Sequence, residues 1–97
     1  MNNGLFLACV ADANRFALLR RLAEGDHCVR DLVEATGHSQ SNVSHHLRRL
    51  RDCGFVTYER DGKQNRYRLS HPAVADFVRA AEATRQAIAP LCSSEAC

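Results

Sequence analysis

The sequence encodes a mainly helical α+β domain with one small β-hairpin. Apolar residues recur at helical spacing through most of the chain, and Gly25, Gly37 and Gly54 stand where those stretches stop. One segment around Asp61-Gly62 breaks the helical period and carries the turn signal of a hairpin. With 97 residues there is room for one domain, 1–97, in which 92–97 is a short cysteine-bearing C-terminal tail.

The elements follow in order. Leu5, Phe6, Cys9, Val10 and Ala13 keep the i, i+3, i+4 rule of a first helix. Asp12 can cap a second, which turns Phe16, Leu18, Leu19 and Leu22 inward and ends at Gly25. A third spans about residues 28–36, with Val29, Leu32 and Val33 inward and Gly37 as its terminator. Ser39 opens a fourth helix over 40–53, closed by Gly54. Strands at 55–60 and 64–69 flank the Asp61-Gly62 turn. Pro72, after His71, suits the first turn of a last helix whose apolar face is Val74, Phe77, Val78, Ala81, Ile88 and Leu91.

The order is therefore α-α-α-α-β-β-α. Two short helices joined by a glycine-containing turn and followed by a hairpin describe a winged helix-turn-helix. The first and last helices each carry an apolar face that so small a core cannot bury. A homodimer through those two helices is expected. Small domains with no DNA role share this topology, so the side chains must decide the function.

Composition excludes several classes. At 45% hydrophobic and 25% charged residues the chain is neither disordered nor fibrous. Its longest apolar run, residues 5–11, is far short of a membrane span. No basic residue precedes that run, so a secretory signal and a membrane partner are not expected, and a cytoplasmic location is. No phosphate-binding glycine loop and no His-Glu-x-x-His occur, and an enzyme acting on a small organic substrate is not expected.

The charge is unevenly placed. Seven Lys/Arg stand against three Asp/Glu between positions 45 and 68, whereas the rest of the chain is net acidic. A basic segment on a near-neutral body fits an anionic partner, nucleic acid first. On a helical wheel Val43, Leu47 and Leu50 of the fourth helix share the core side. Ser41, His45, Arg48 and Asp52 lie opposite, with Gln40 and Ser44 beside them. In the major groove Gln pairs with adenine and Arg with guanine, while serines near a helix start bond phosphates or bases. Ser39, Gln40, Ser41, Ser44, His45 and Arg48 are the candidate reading residues. Arg60, Lys63 and Arg66, close to Asn65 and Arg68 on the hairpin, are the candidate phosphate contacts. Tyr58 and Tyr67 read as cross-strand packing, and His46 as a packed, hydrogen-bonded histidine.

Several segments together resemble a known family. They are Ala11-Asp12-Ala13-Asn14-Arg15 with Leu18-Leu19, His27-Cys28-Val29-Arg30-Asp31-Leu32, Ser39-Gln40-Ser41-Asn42-Val43-Ser44-His45-His46-Leu47, and Gly62-Lys63 through Tyr67-Arg68-Leu69. They are similar to the ArsR/SmtB repressors over nearly the whole chain. The resemblance implies a dimeric repressor on double-stranded operator DNA with an inverted repeat, released when a metal or metalloid ion binds.

Carried over residue by residue, the family's ligand patterns match unevenly. The zinc-type site on the last helix would fall on His71, Ala73, Thr84 and Ala87, and those residues do not supply it. In the Cys-Val-Cys pattern of the third helix Cys28 matches, but Arg30 replaces the second cysteine. The cadmium- and lead-sensing branch lies nearest. Cys53 matches its later helix cysteine and Cys92 falls close to its C-terminal one. Arg49 stands in place of the third ligand, and Cys97 is available to replace it.

Five cysteines at 9, 28, 53, 92 and 97, with no Cys-x2-Cys knuckle, fit neither a disulfide framework nor a zinc ribbon. Thiolates favour soft ions: Cd(II), Pb(II) or As(III), with Sb(III) and Hg(II) close behind. The candidate ligands are Cys53, Cys92 and Cys97, with Cys28 as the rival. Cys53 can also be read as a small residue before the Gly54 stop, and Cys9 as a small hydrophobe. A metal-free repressor that senses oxidants or sulfide through two of these thiols is the alternative.

Overall fold

The computed structural model describes residues 1–93. The first helix, α1, is Asn3–Val10, and the Asn2 side chain caps it by accepting the Leu5 N–H at 2.7 Å. The second, α2, is Ala13–Glu24. The Asp12 carboxylate accepts the backbone N–H groups of Asn14 and Arg15 at 2.9 and 3.0 Å. That cap explains why Ala13, which continues the apolar stripe of α1 in sequence, opens α2 instead.

A two-residue strand, β1 (His27–Cys28), precedes α3 (Val29–Thr36). Gly37, at φ 75°, ends α3 in the left-handed region that only glycine adopts cheaply. Ser39 Oγ then accepts the Asn42 N–H at 3.1 Å and starts α4, Gln40–Asp52, with Cys53 as its C-cap. The hairpin is β2 (Val56–Asp61) and β3 (Gln64–Leu69). Its loop is Gly62-Lys63 rather than Asp61-Gly62, with φ 63° at Gly62, because a two-residue turn of this kind places glycine at its first central position. The last helix, α5 (Pro72–Ile88), runs into a 3-10 turn at Ala89–Leu91.

The sheet order is β1-β3-β2, antiparallel throughout. The pairing of β1 with β3 is a feature the sequence did not reveal, since two residues carry no period. It joins His27 to Tyr67 and Cys28 to Arg66, and so fastens the hairpin to the base of α3.

One core runs through all these elements. Leu18, Leu19, Leu22, Leu32, Val43, Leu47, Leu50, Phe55, Val56, Tyr67 and Val78 are buried, along with Cys9. The Phe6 ring meets Phe55 at 5.2 Å and Phe77 at 5.5 Å, which draws α1 and α5 onto the foot of the sheet. Arg79 Nη2 donates to the Ala23 carbonyl at 3.1 Å and locks α5 on α2. Leu5 and Leu7 on α1, with Ile88 and Leu91 at the end of α5, remain about half exposed or more. They lie on the two helices whose apolar faces exceed what the core can cover.

Candidate nucleic-acid interface and thiol sites

The turn from Gly37 to Ser39 sets α4 across α3, with Val43, Leu47 and Leu50 held in the core. The opposite side is therefore turned outward. Ser39, Gln40, Ser41, Ser44, His45 and Arg48 are all exposed, as their wheel positions require. A row of such donors and acceptors on one helix face is what base edges and phosphates need.

The hairpin closes on the start of that face. A cleft of about 530 Å³ lies between α3, the first residue of α4 and the hairpin tip, and Arg30, Gln40, Arg60, Lys63 and Asn65 line it with Glu34. Three cations and one carboxylate leave it net positive. Arg30 is a contributor that sequence reading missed, because α3 shows no basic cluster.

The hairpin cations differ in freedom. Arg60 Nε donates to the Gly62 carbonyl at 2.9 Å, and Arg66 Nε meets Asp61 Oδ2 at 3.4 Å, so both brace the tip. Arg68 pairs with Glu59. Among the described residues Lys63 takes part in no ion pair and stands exposed at the tip. Tyr58 and Tyr67 are cross-strand partners with ring centroids 5.2 Å apart, as expected of packing residues.

His46 is buried as expected, at 8% exposure, but its hydrogen bonding differs from the expectation. Among the described residues its Nδ1 finds no partner, nor does Asn42 Oδ1 one turn earlier. Burial pushes the imidazole pKa below its ordinary value, although the nearby Asp12 carboxylate pulls the other way. The shift favours the neutral ring.

Apart from Cys9 and Cys53, the thiols fall in separate places. Cys28 is buried at the N-cap of α3, and its N–H donates to Asp31 Oδ2 at 3.2 Å. Cys53 is half-buried at the end of α4. Cys92 is half-buried just past the 3-10 turn and is engaged in an interaction of its own, whereas Cys97 lies outside the described residues. Cys9 packs in the core at 2% exposure, as its place on the apolar stripe predicts. It also meets Cys53, a contact that no sequence spacing announces. Burial, and next the hydrogen bond with Cys53, push the Cys9 thiol pKa up to about 12. Two thiols side by side are a soft donor set that suits a thiophilic ion. Among the described residues no group of three or more His, Cys, Asp or Glu is gathered for a metal. His71, at the zinc-type position, is occupied as the N-cap of α5, where its Nδ1 accepts the Ala73 N–H at 2.9 Å.

An exposed polar helix after a glycine turn, backed by a hairpin with a basic cleft, defines a winged helix-turn-helix of the DNA-binding class. Residues 12–58 match the family described as "Bacterial regulatory protein, arsR family". Over 73 residues the chain is 44% identical to a probable mercury resistance operon repressor of Streptomyces lividans, covering 75% of this chain and 58% of that one. An arsenical resistance operon repressor of Staphylococcus aureus is 34% identical over 73 residues, covering 75% and 70% of the two chains. The chain belongs to the arsR family of bacterial regulatory proteins, a family of regulators and not of enzymes.

Solved structures agree on the fold. The crystal structure of Rv0081 from Mycobacterium tuberculosis superposes with a TM-score of 0.82 at 29% identity, covering 88% of this chain and 86% of that one. A homodimeric winged helix-turn-helix domain from Mycobacterium bovis gives 0.79 at 25% identity, covering 86% and 77%.

Proposed function

We propose that the protein is a homodimeric transcriptional repressor that binds an inverted-repeat operator and releases it when a soft thiophilic ion binds. The observation that carries the DNA half is the exposed face of α4 opening onto the basic cleft shared with the hairpin. Gln40, His45 and Arg48 read base edges, Ser39, Ser41 and Ser44 bond phosphates or bases near the helix start, and Lys63, Arg60 and Arg66 hold the flanking backbone. The exposed Leu5, Leu7, Ile88 and Leu91 pair with a second copy, which places two reading helices on two half-sites.

The effector half rests on the thiols and on the relatives' names, which speak for metals and metalloids rather than thiol oxidation. Cys53 ends the reading helix, and Cys92 and Cys97 follow the dimerising helix. In the fully reduced protein, Cys53 of one subunit and the two tail cysteines of the other together offer three thiolates to Cd(II), Pb(II) or As(III). When bound, such an ion supplies a cross-link between sulfur ligands. A link from α4 to the partner's scaffold favours a head spacing that fits the operator poorly. A coupling of about 1–3 kcal/mol lowers operator affinity about 5–150-fold, and DNA weakens ion binding equally. Fluorescence anisotropy of a labelled inverted-repeat duplex with reduced protein, before and after Cd(II), tests this reading. High affinity followed by release supports it, and equal affinity for a scrambled duplex refutes it.

A further inference from the structure

The Cys9 thiol of α1 and the Cys53 backbone N–H at the end of α4 meet at one backbone oxygen. Cys53 is the C-cap of α4, and its N–H donates to the Arg49 carbonyl at 3.1 Å. The Cys9 sulfur, reaching over from α1, lies 3.8 Å from that same oxygen. The Cys53 side chain packs against the core cluster that contains Cys9, near enough for the two thiols to interact. Cys9 is held there from behind, because Arg15 Nε donates to its carbonyl at 2.6 Å and Arg15 Nη2 to that of Ala8 at 3.2 Å.

Packing alone would explain one buried thiol. It does not account for a second thiol packed beside it from another element. The neighbours set the coordination number, since no carboxylate or imidazole among the described residues joins the pair as a third ligand. Ions that require three or four ligands are poorly served by such a pocket. A soft cation content with two sulfurs in a line is well served.

We propose that Cys9 and Cys53 of one subunit form a two-thiolate site for a linear, two-coordinate soft cation, with Hg(II) as its type. This deepens the metal-responsive reading above, on which its regulatory consequence rests, by naming a ligand pair within each subunit. On binding, each thiol releases its proton to solvent and gives a sulfur lone pair to the ion, so two protons leave for each ion taken up. The Cys9 hydrogen bond to the Arg49 carbonyl is lost, and α1, which carries the exposed Leu5 and Leu7, becomes clamped to the end of the reading helix.

The test isolates the pair in the full chain. In a reduced Cys28→Ser/Cys92→Ser/Cys97→Ser variant, only Cys9 and Cys53 remain. Titration with mercuric chloride should raise the ultraviolet thiolate-to-metal absorption to a plateau at one ion per subunit, and X-ray absorption should show two sulfur neighbours. Adding Cys9→Ala, which keeps a small apolar residue in the core, should weaken binding at least 100-fold in competition with dithiothreitol. A triple variant that takes up no Hg(II), or whose binding survives Cys9→Ala, overturns the site. Operator release separates this proposal from the broader one. Binding with two sulfurs and no operator release by Hg(II) in the wild-type protein keeps the site and refutes its regulatory consequence. Release in the wild-type protein with an empty triple variant refutes the site alone.

Discussion

The guanidinium of Arg51 lies over the ring of Tyr58, 5.2 Å from its centroid, and so joins the last turn of α4 to the hairpin strand β2. The Tyr58 ring in turn rests against Tyr67 across the sheet. α4 and the hairpin are therefore fastened at one end by this stack, while at the other they open into the basic cleft.

An exposed cation–π contact of this kind contributes about 0.5–1 kcal/mol. Arg51→Ala should lower stability by about that amount. In a double-mutant cycle with Tyr58→Leu, read by urea denaturation, the two losses should fall short of additivity. Additive losses would show that the stack contributes nothing.

Arg48 is exposed on the outward face of α4, the proposed reading face. Arg48→Ala should weaken specific binding by about 1–3 kcal/mol if the side chain makes a bidentate contact to guanine, with little change on non-specific duplex. Replacing Gln40, His45 and Arg48 together should abolish discrimination between operator and scrambled DNA. Unchanged discrimination in anisotropy titrations would remove α4 from its reading role.

Lys63, without an ion pair among the described residues, is the proposed phosphate contact at the hairpin tip. Lys63→Ala should weaken binding to all sequences alike and reduce the slope of log K against log salt by about one. Arg66, already tied to Asp61, should have a smaller effect on that slope. An unchanged slope for Lys63→Ala would place the tip away from the DNA backbone.

Asp12 caps α2, and the Arg15 backbone N–H is foremost in holding its carboxyl below the ordinary value of 3.8. Because the folded value is depressed, the stabilisation is complete above the unfolded pKa and is lost as pH falls through the folded one. Asp12→Ala should cost about 0.5–2 kcal/mol at neutral pH. Asp12→Asn should keep much of the cap and flatten the acid limb of the stability profile. Parallel acid limbs for the wild-type and Asn proteins, in thermal melts between about pH 2 and about pH 5, a range spanning the ordinary carboxyl value and extending below it, would contradict this account.

The helices, the hairpin and the division of α4 into a core side and an outer side were legible because each rests on local chemistry. A cap at Asp12 or Ser39, a stop at Gly37 or Gly54, and a 3.6-residue period all occur within a few positions of one another. What escaped depends on distant segments. β1 exists only because Tyr67 and Arg66 offer it a partner. Arg30 joins the cleft only because the hairpin folds back over α3. Cys9 looked like any small apolar residue on its stripe, and nothing in a one-dimensional pattern places it against a residue at the far end of α4. His46 was read correctly as a core residue, but its missing hydrogen-bond partner depends on the tertiary neighbours around the ring.

Ion-dependent operator release is the measurement that bears most directly on the central claim. Reduced wild-type protein bound to its fluorescent inverted-repeat duplex is titrated with Cd(II), Pb(II), As(III), Sb(III), Hg(II) and Zn(II) in parallel. At least one of the soft thiophilic ions should release the DNA at about one equivalent per subunit, a stoichiometry set by the thiolate donors. Zn(II) at the same concentration should leave the complex intact, because His71 caps α5 and Ala73, Thr84 and Ala87 offer no ligand. Release by Zn(II) alone, or by none of the six ions, would contradict the account.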